Sequence, residues 1–201
     1  DGAAPCVFVV RLLELDDPNM TSVLVTASWR LLGFKMYSQA SEIIFGLSRS
    51  GGMEAENALI NWLDYPDAYW VRMTAADGLG NYGGPTALPA LYARLQVEKD
   101  GYPLSSVYRA IAKLGGNIPF ELVLEHLNSP DSGRRYAAIR ELTDLGGPRA
   151  VDLLVPRLKD PDPYIRGETA HALHTIKDAR ALPAILNQAW VEEDHYSLFY
   201  L

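Results

Sequence analysis

The feature that most constrains this 201-residue chain is a recurrence of 31–32 residues that runs through nearly all of it. Glycine pairs stand at Gly51-Gly52, Gly83-Gly84, Gly115-Gly116 and Gly146-Gly147, and Lys177-Asp178 takes the same slot one step later. Leu15, Leu47, Leu79, Ile111, Leu142 and Leu173 keep one register a few residues before each break. Leu59, Leu91, Val123, Leu154 and Ile185 form another ladder, and Leu63, Leu95, Leu127 and Leu158 a third, four residues further on. Ladders that share a period mark an array in which no single unit buries its own apolar face, so neighbouring units must stack in a row.

Within a unit the apolar spacing is helical. Val151, Leu154, Val155 and Leu158 follow i, i+3, i+4, i+7, and Ile165, Thr169, Ala170, Leu173 and Ile176 line one face of the next segment. Between the two sits Asp160-Pro161-Asp162-Pro163. The prolines stop the first helix, and Asp162 followed by Pro163 reads as the N-cap and first turn of the second. Tyr65-Pro66-Asp67 and Ser129-Pro130-Asp131 are equivalent breaks. The glycine pairs then close each second helix, because glycine adopts the left-handed C-cap conformation at no steric cost.

This pattern predicts first helices near 20–34, 53–64, 85–97, 118–127, 149–158 and 179–190. Second helices are expected near 3–15, 37–48, 67–80, 103–113, 132–144, 163–176 and 194–201, with QVEKDGYP as a longer loop. Ala75, Ala76, Ala110, Ala138 and Ala170 are small enough to let helices approach closely across the stack. The phase places both ends inside a unit without polar capping repeats, so residues 1–201 are expected to be one array, a segment of a longer one or one that pairs through its uncapped ends.

Composition narrows the function classes. A net charge of −7 and a pI near 5.1 disfavour a phosphate-binding surface, so nucleic acid is not the expected partner. The single cysteine, Cys6, cannot form an internal disulfide, which suits a reducing, cytoplasmic setting. No apolar run approaches the roughly 18 residues that suggest a membrane span, and the start DGAAPCVFVVRLLEL lacks the basic region of a signal peptide.

The units DPDPYIRGETAHALHTIKDARALPAIL, YWVRMTAADGLGNYGGPTALPAL and RRYAAIRELTDLGGPRAVDLL share one order: aspartate and proline, arginine, small residues, then leucine. In this they resemble the HEAT-like repeats of the phycobilisome lyase class. The resemblance implies an all-α fold, a right-handed α-α superhelix (solenoid) of about six HEAT-like helix-pair repeats. It also implies that the arginine of each second helix, here Arg72, Arg135 and Arg166, pairs with the turn aspartate of its own or an adjacent repeat, for which Asp67, Asp131 and Asp162 are the candidates.

No nucleophile–base set, P-loop or dinucleotide fingerprint stands out, so no catalytic residue is assigned. Gly78-Leu79-Gly80, inside GLGNYG, follows a helix and reads as a C-cap rather than a phosphate cradle. Glu125-His126 and the Glu168/His171 pair lack matching ligands in a second repeat, so no metal site is assigned either. In HEAT-like arrays the outward face of the second helices lines the concave surface. There one register gives Trp70, Tyr102 and Tyr164, and its neighbour gives Met73 and Tyr136. Another register runs Phe45, Asp77, Arg109, Arg140 and His171.

Tyrosine and arginine dominate interface hot spots, and arginine suits carboxylates. The candidate groove is therefore Trp70, Met73, Tyr102, Arg109, Tyr136, Arg140, Tyr164 and His171. The expected function is a non-enzymatic protein–protein interaction or scaffold module that holds a protein partner or peptide and needs no cofactor. The alternative implied by the resemblance is a bilin lyase or chaperone-like subunit acting on phycobiliproteins. An open-chain tetrapyrrole would then lie on the tyrosines with its propionates on arginine. A DNA-repair role of the HEAT-like glycosylase kind would need a basic groove, which the acidic total opposes.

Overall fold

The computed structural model describes residues 18–33 and 37–200. The helix expected over 3–15, with Leu15 and Cys6, lies outside the described residues. The described residues form α-helices α1 Pro18–Gly33, α2 Tyr37–Ser50, α3 Met53–Trp62, α4 Tyr69–Tyr82, α5 Leu88–Val97 and α6 Gly101–Lys113. They continue with α7 Phe120–Leu127, α8 Ser132–Leu145, α9 Gly147–Leu154, α10 Pro163–Ile176, α11 Leu182–Ala189 and α12 His195–Tyr200. Short 3-10 turns precede α5 and α11 and follow α9.

The chain divides into two compact units, Asp1–Ile118 and Pro119–Leu201. In the first, second helices α2, α4 and α6 pack side by side, with α3 against α4 and α5 against α6. In the second, α8, α10 and α12 pack side by side, with α7 against α8 and α9 against both α8 and α10. The ladders become the cores of these stacks. Leu47, Leu79 and Ile111 are buried in one, and Leu142, Leu154 and Leu173 in the other. Each such side chain contributes on the order of 1.5–3 kcal/mol through the area it removes from water. No described helix is long and apolar enough to cross a membrane.

Small residues set how closely the helices approach. Ala75, Ala76, Ala110, Ala138 and Ala170 are all buried, as the pattern predicts. Gly78 and Gly80 correct the C-cap reading, because both lie within α4 rather than at its end. A Cβ on Gly78 would sit 2.7 Å from the Ser48 Cβ, and one on Gly80 would sit 2.7 Å from the Ala110 Cα. These glycines therefore serve contact with α2 on one side and α6 on the other.

The breaks mostly follow the left-handed expectation, with positive φ at Gly51, Gly52, Gly115, Gly146, Gly147 and Lys177. Gly83-Gly84 departs from it, with φ of −80° and −107°. There the Glu56 carboxylate accepts a hydrogen bond from the Gly84 N–H at 3.2 Å and another from the Thr86 hydroxyl, so a side chain holds the turn. The loop expected over QVEKDGYP also contracts. α5 runs to Val97 and α6 begins at Gly101, and Pro103 fits the first turn, where no intrahelical N–H bond is lost.

The arginines pair with different carboxylates from those expected. Arg72 meets Glu98 at 2.8 Å and also bonds Asp100; Arg135 meets Asp160 at 2.8 Å; Arg166 meets Glu192 at 2.6 Å. Each acceptor lies at the end of the first helix of the following repeat. The aspartates proposed as partners do other work. Asp131 caps α8 through the N–H groups of Gly133 and Arg134, Asp162 caps α10 through that of Tyr164, and Asp67 is exposed.

Every one of these arginines also donates to two carbonyls of its own preceding turn: Tyr65 and Pro66, Ser129 and Pro130, Asp160 and Pro161. The carboxylates in turn accept backbone N–H groups two residues on, at Asp100, Asp162 and Asp194. The physical reason is the geometry of the fork. Guanidinium presents five donors in one plane, enough to tie its own turn to the next repeat at once. Where the fork is missing, α2 and α6 carry buried Ala40 and Leu104, so no lone charge is enclosed.

Burial alone would raise the Glu98 carboxyl, yet the Arg72 guanidinium and the Asp100 N–H hold it below the usual glutamate value. The hydrogen bonds from Arg166 bring Glu192 down to about 2 from 4.5. A carboxylate lowered in the folded state stabilises fully above its unfolded value, and that contribution is lost as pH falls through the folded one. In urea titrations the stability cost of Glu192→Gln should therefore be largest near pH 7 and shrink between 4.5 and about 2. Arg135→Ala leaves the buried Asp160 carboxylate without its counter-charge and should cost about 3–5 kcal/mol by the same measurement, with only part of that loss recovered by the further change Asp160→Leu, because the Ser129 and Pro130 carbonyls and the Asp162 N–H still lack their partners.

Candidate functional site

In the unit of residues 119–201, the second helices α8, α10 and α12 carry a row of stacked tyrosines. Tyr136 and Tyr164 have ring centroids 5.7 Å apart, and Tyr164 and Tyr196 are 5.2 Å apart with planes at 28°. Aromatic pairs at this spacing add about 0.5–1.5 kcal/mol beyond their buried area. Tyr200 meets the edge of Tyr196 at 5.2 Å and also packs on His171 at 5.3 Å.

The row depends on a notch in α10. A Cβ on Gly167 would fall 2.8 Å from the Tyr196 ring, so only glycine lets that ring lie against the helix. So placed, the Tyr196 hydroxyl donates to the buried Glu168 carboxylate at 2.7 Å. At the base of α12 the Ser197 hydroxyl donates to the Pro163 carbonyl at 2.6 Å, which fixes the helix that carries Tyr196.

One turn beyond Tyr136 on α8 stands Arg140. It is half-buried and forms no hydrogen bond or ion pair with any described residue. A guanidinium with its fork unsatisfied beside a row of aromatic rings suits a planar or carboxylate-bearing group from outside.

The other candidates lie in the unit of residues 1–118. Trp70 and Met73 are half-buried on α4. Tyr102 stacks with Tyr69 at 6.1 Å and 26°. Arg109 is engaged by Asp77 at 2.8 Å, and beside it Lys113 donates to the Asn81 side chain at 2.6 Å. Arg109 and Lys113 are thus already engaged, one by an ion pair and one by a hydrogen bond, unlike Arg140.

The structure brings Tyr136 and Tyr164 together although counting puts them in different registers, because the tyrosine side chain is long enough to reach the next repeat. Tyr196, Tyr200 and Glu168 escaped the sequence reading as parts of this row. The available signal was that Tyr196 stands 32 residues after Tyr164. Among the described residues no three His, Cys, Asp or Glu gather around one point. His126 is buried, and that burial together with the Arg134 charge lowers its pKa, which disfavours the cation.

Burial, followed by the adjacent Glu168 carboxylate, pushes Tyr196 well above the usual tyrosine value. Replacing Glu168 with glutamine removes the charge that opposes tyrosinate. Absorbance titration at alkaline pH should then show one tyrosine, absent in Tyr196→Phe, ionising at lower pH than in the parent protein.

A model for HEAT repeats matches residues 38–112 and 120–197. A search of curated proteins finds no match. Among solved structures, the complex of CpcE and CpcF of phycocyanin lyase from Nostoc sp. PCC7120 is similar at 22% identity, over 96% of this chain and 90% of that chain, with a TM-score of 0.48. An engineered protein is similar at 19% identity, over 96% of this chain and 61% of that one, with a TM-score of 0.39. With the repeat model covering most of its length, the chain belongs to the HEAT repeat family.

Proposed function

We propose that this protein is a non-enzymatic interaction module that holds a protein partner or peptide on the second-helix face of residues 119–201. The observation that carries the reading is Arg140: a half-buried guanidinium without a described partner, one turn from the stacked Tyr136–Tyr164–Tyr196 row. Arginine and tyrosine are the side chains whose truncation most often costs binding energy, and a rigid aromatic row spends little entropy on ordering. The pairing of Arg109 with Asp77 leaves the corresponding face of residues 1–118 less suited to the same task.

A second reading is supported by the same chemistry. Arginine can hold a propionate and tyrosines can stack on conjugated rings, so a bilin-handling subunit would use these residues as well. The resemblance of the repeats to the phycobilisome lyase class supports it, and an open-chain tetrapyrrole would then be the bound group.

Pull-down with the double variant Tyr136→Ala, Arg140→Glu separates these outcomes. The captured partner should fall at least tenfold, about 1.4 kcal/mol, while the melting temperature should fall by no more than the loss of the Tyr136–Tyr164 contact implies and the protein stays folded at the assay temperature. Retained capture would overturn the proposal. Addition of a free bilin to the parent protein should leave the bilin's visible spectrum unchanged; a red-shifted, intensified band lost in the double variant would establish the second reading instead.

A further inference from the structure

The chain contains its own counterpart of Arg140. One 31-residue step earlier stands Arg109 on α6, whose Nη2 donates to Asp77 at 2.8 Å and to the Ser106 hydroxyl at 3.2 Å. The next step replaces both acceptors. Ala137 stands in the slot of Ser106, and the slot of Asp77 is filled by Arg109 itself, a cation already engaged. Arg140 thus repeats a carboxylate-holding arginine in a repeat that supplies no carboxylate.

Its neighbours do not take that place. Asp144, one turn ahead on α8, is exposed and forms no ion pair with it. Glu141 is half-buried, and its carboxyl is raised by burial and by the Asp144 charge, with no arginine drawing it down. His171, one step on in the same register, packs on Tyr200 and offers no acid.

A guanidinium and a carboxylate match through parallel N–H···O bonds, and a half-buried pair of this kind is screened by salt less than an exposed one. A polyanionic partner is disfavoured, because a chain with net charge −7 repels it at long range. What suits the fork is a single well-placed carboxylate.

The tyrosines set a second anchor. Tyr136 precedes Arg140 by one turn, about 6 Å along the helix axis, and its ring pairs with that of Tyr164 at 5.7 Å. In an extended peptide, residues i and i+2 share one face and stand roughly 7 Å apart. The two anchors therefore match an acidic and an aromatic residue with one residue between them.

Resting on the interaction reading of this face, we propose that Arg140 and the Tyr136–Tyr164 pair recognise an extended peptide with an aspartate or glutamate two positions from an aromatic residue. The carboxylate takes the place at Arg140 that Asp77 takes at Arg109, and the aromatic ring lies on the tyrosines.

The probe is a random heptapeptide library displayed on phage and selected on the parent protein. Binders should be enriched in an acidic residue two positions from Phe, Tyr or Trp. The strongest binder is then synthesised with an amidated C-terminus, which leaves side chains as its only carboxylates, and titrated by fluorescence anisotropy. Changing its acidic residue to the amide should weaken binding to the parent at least tenfold, yet change binding little to the Arg140→Gln protein. Changing it to lysine should restore binding to the Arg140→Glu protein.

The absence of binders to the parent, or an amide peptide that binds the parent as well as the acid, would overturn the proposal. Binding by the free-acid peptide that amidation abolishes would assign the carboxylate to a chain terminus and overturn the side-chain reading. Binders without acidic preference that the Tyr136→Ala, Arg140→Glu protein fails to hold would overturn the carboxylate while leaving the interaction face standing. Binders held equally by that double variant would overturn the face and the inference together.

Discussion

The stacks rest on the arginine fork at the start of a second helix. A helix pair of this size cannot bury its own apolar face, so what matters is how one pair is held against the next. Arg72, Arg135 and Arg166 each reach forward to a carboxylate at the end of the following first helix, and back to carbonyls of their own turn. Asp160 shows the economy of this arrangement. It accepts both arms of Arg135 and the Asp162 N–H that begins the next turn, and its own carbonyl accepts from Arg166. The ion pair is thus also the device that sets the loop geometry, and removing either half disturbs the entry of two repeats.

That arrangement explains why buried charge is tolerated in a domain otherwise built from leucine and alanine. A guanidinium and a carboxylate enclosed together cost desolvation, and the cost is offset only when their remaining donors and lone pairs are used. Here they are used by backbone groups that the prolines of the turn have left without helical partners. Where the sequence supplies no such set, the position is apolar, as Ala40 and Leu104 show. The alternation between complete network and no network is what low-dielectric electrostatics requires.

With the frame so fixed, the second-helix face is free to vary, and its two treatments differ in chemistry. Residues 1–118 pair Arg109 with Asp77 and Lys113 with Asn81 across α4 and α6. Residues 119–201 line up Tyr136, Tyr164 and Tyr196 over three second helices and leave Arg140 without a described partner. Gly167 links frame to site, since its missing side chain is the space that Tyr196 occupies over Glu168.

Periodicity by itself determined the helix pairs, their 31–32-residue step, the buried ladders and the all-α class, because helical spacing and proline or glycine breaks are local properties of the chain. It also singled out the three arginines. Only the tertiary structure decided what those arginines bind, since Glu98, Asp160 and Glu192 lie 25–26 residues away and are brought near by packing between repeats. In the same way counting placed Tyr136 and Tyr164 in separate registers, and only side-chain reach across α8 and α10 made them a pair. Gly83-Gly84 reads in sequence like the other breaks, yet its backbone follows the distant Glu56 carboxylate rather than its own left-handed preference. Local pattern carries the elements; which side chain meets which depends on contacts that the pattern does not contain.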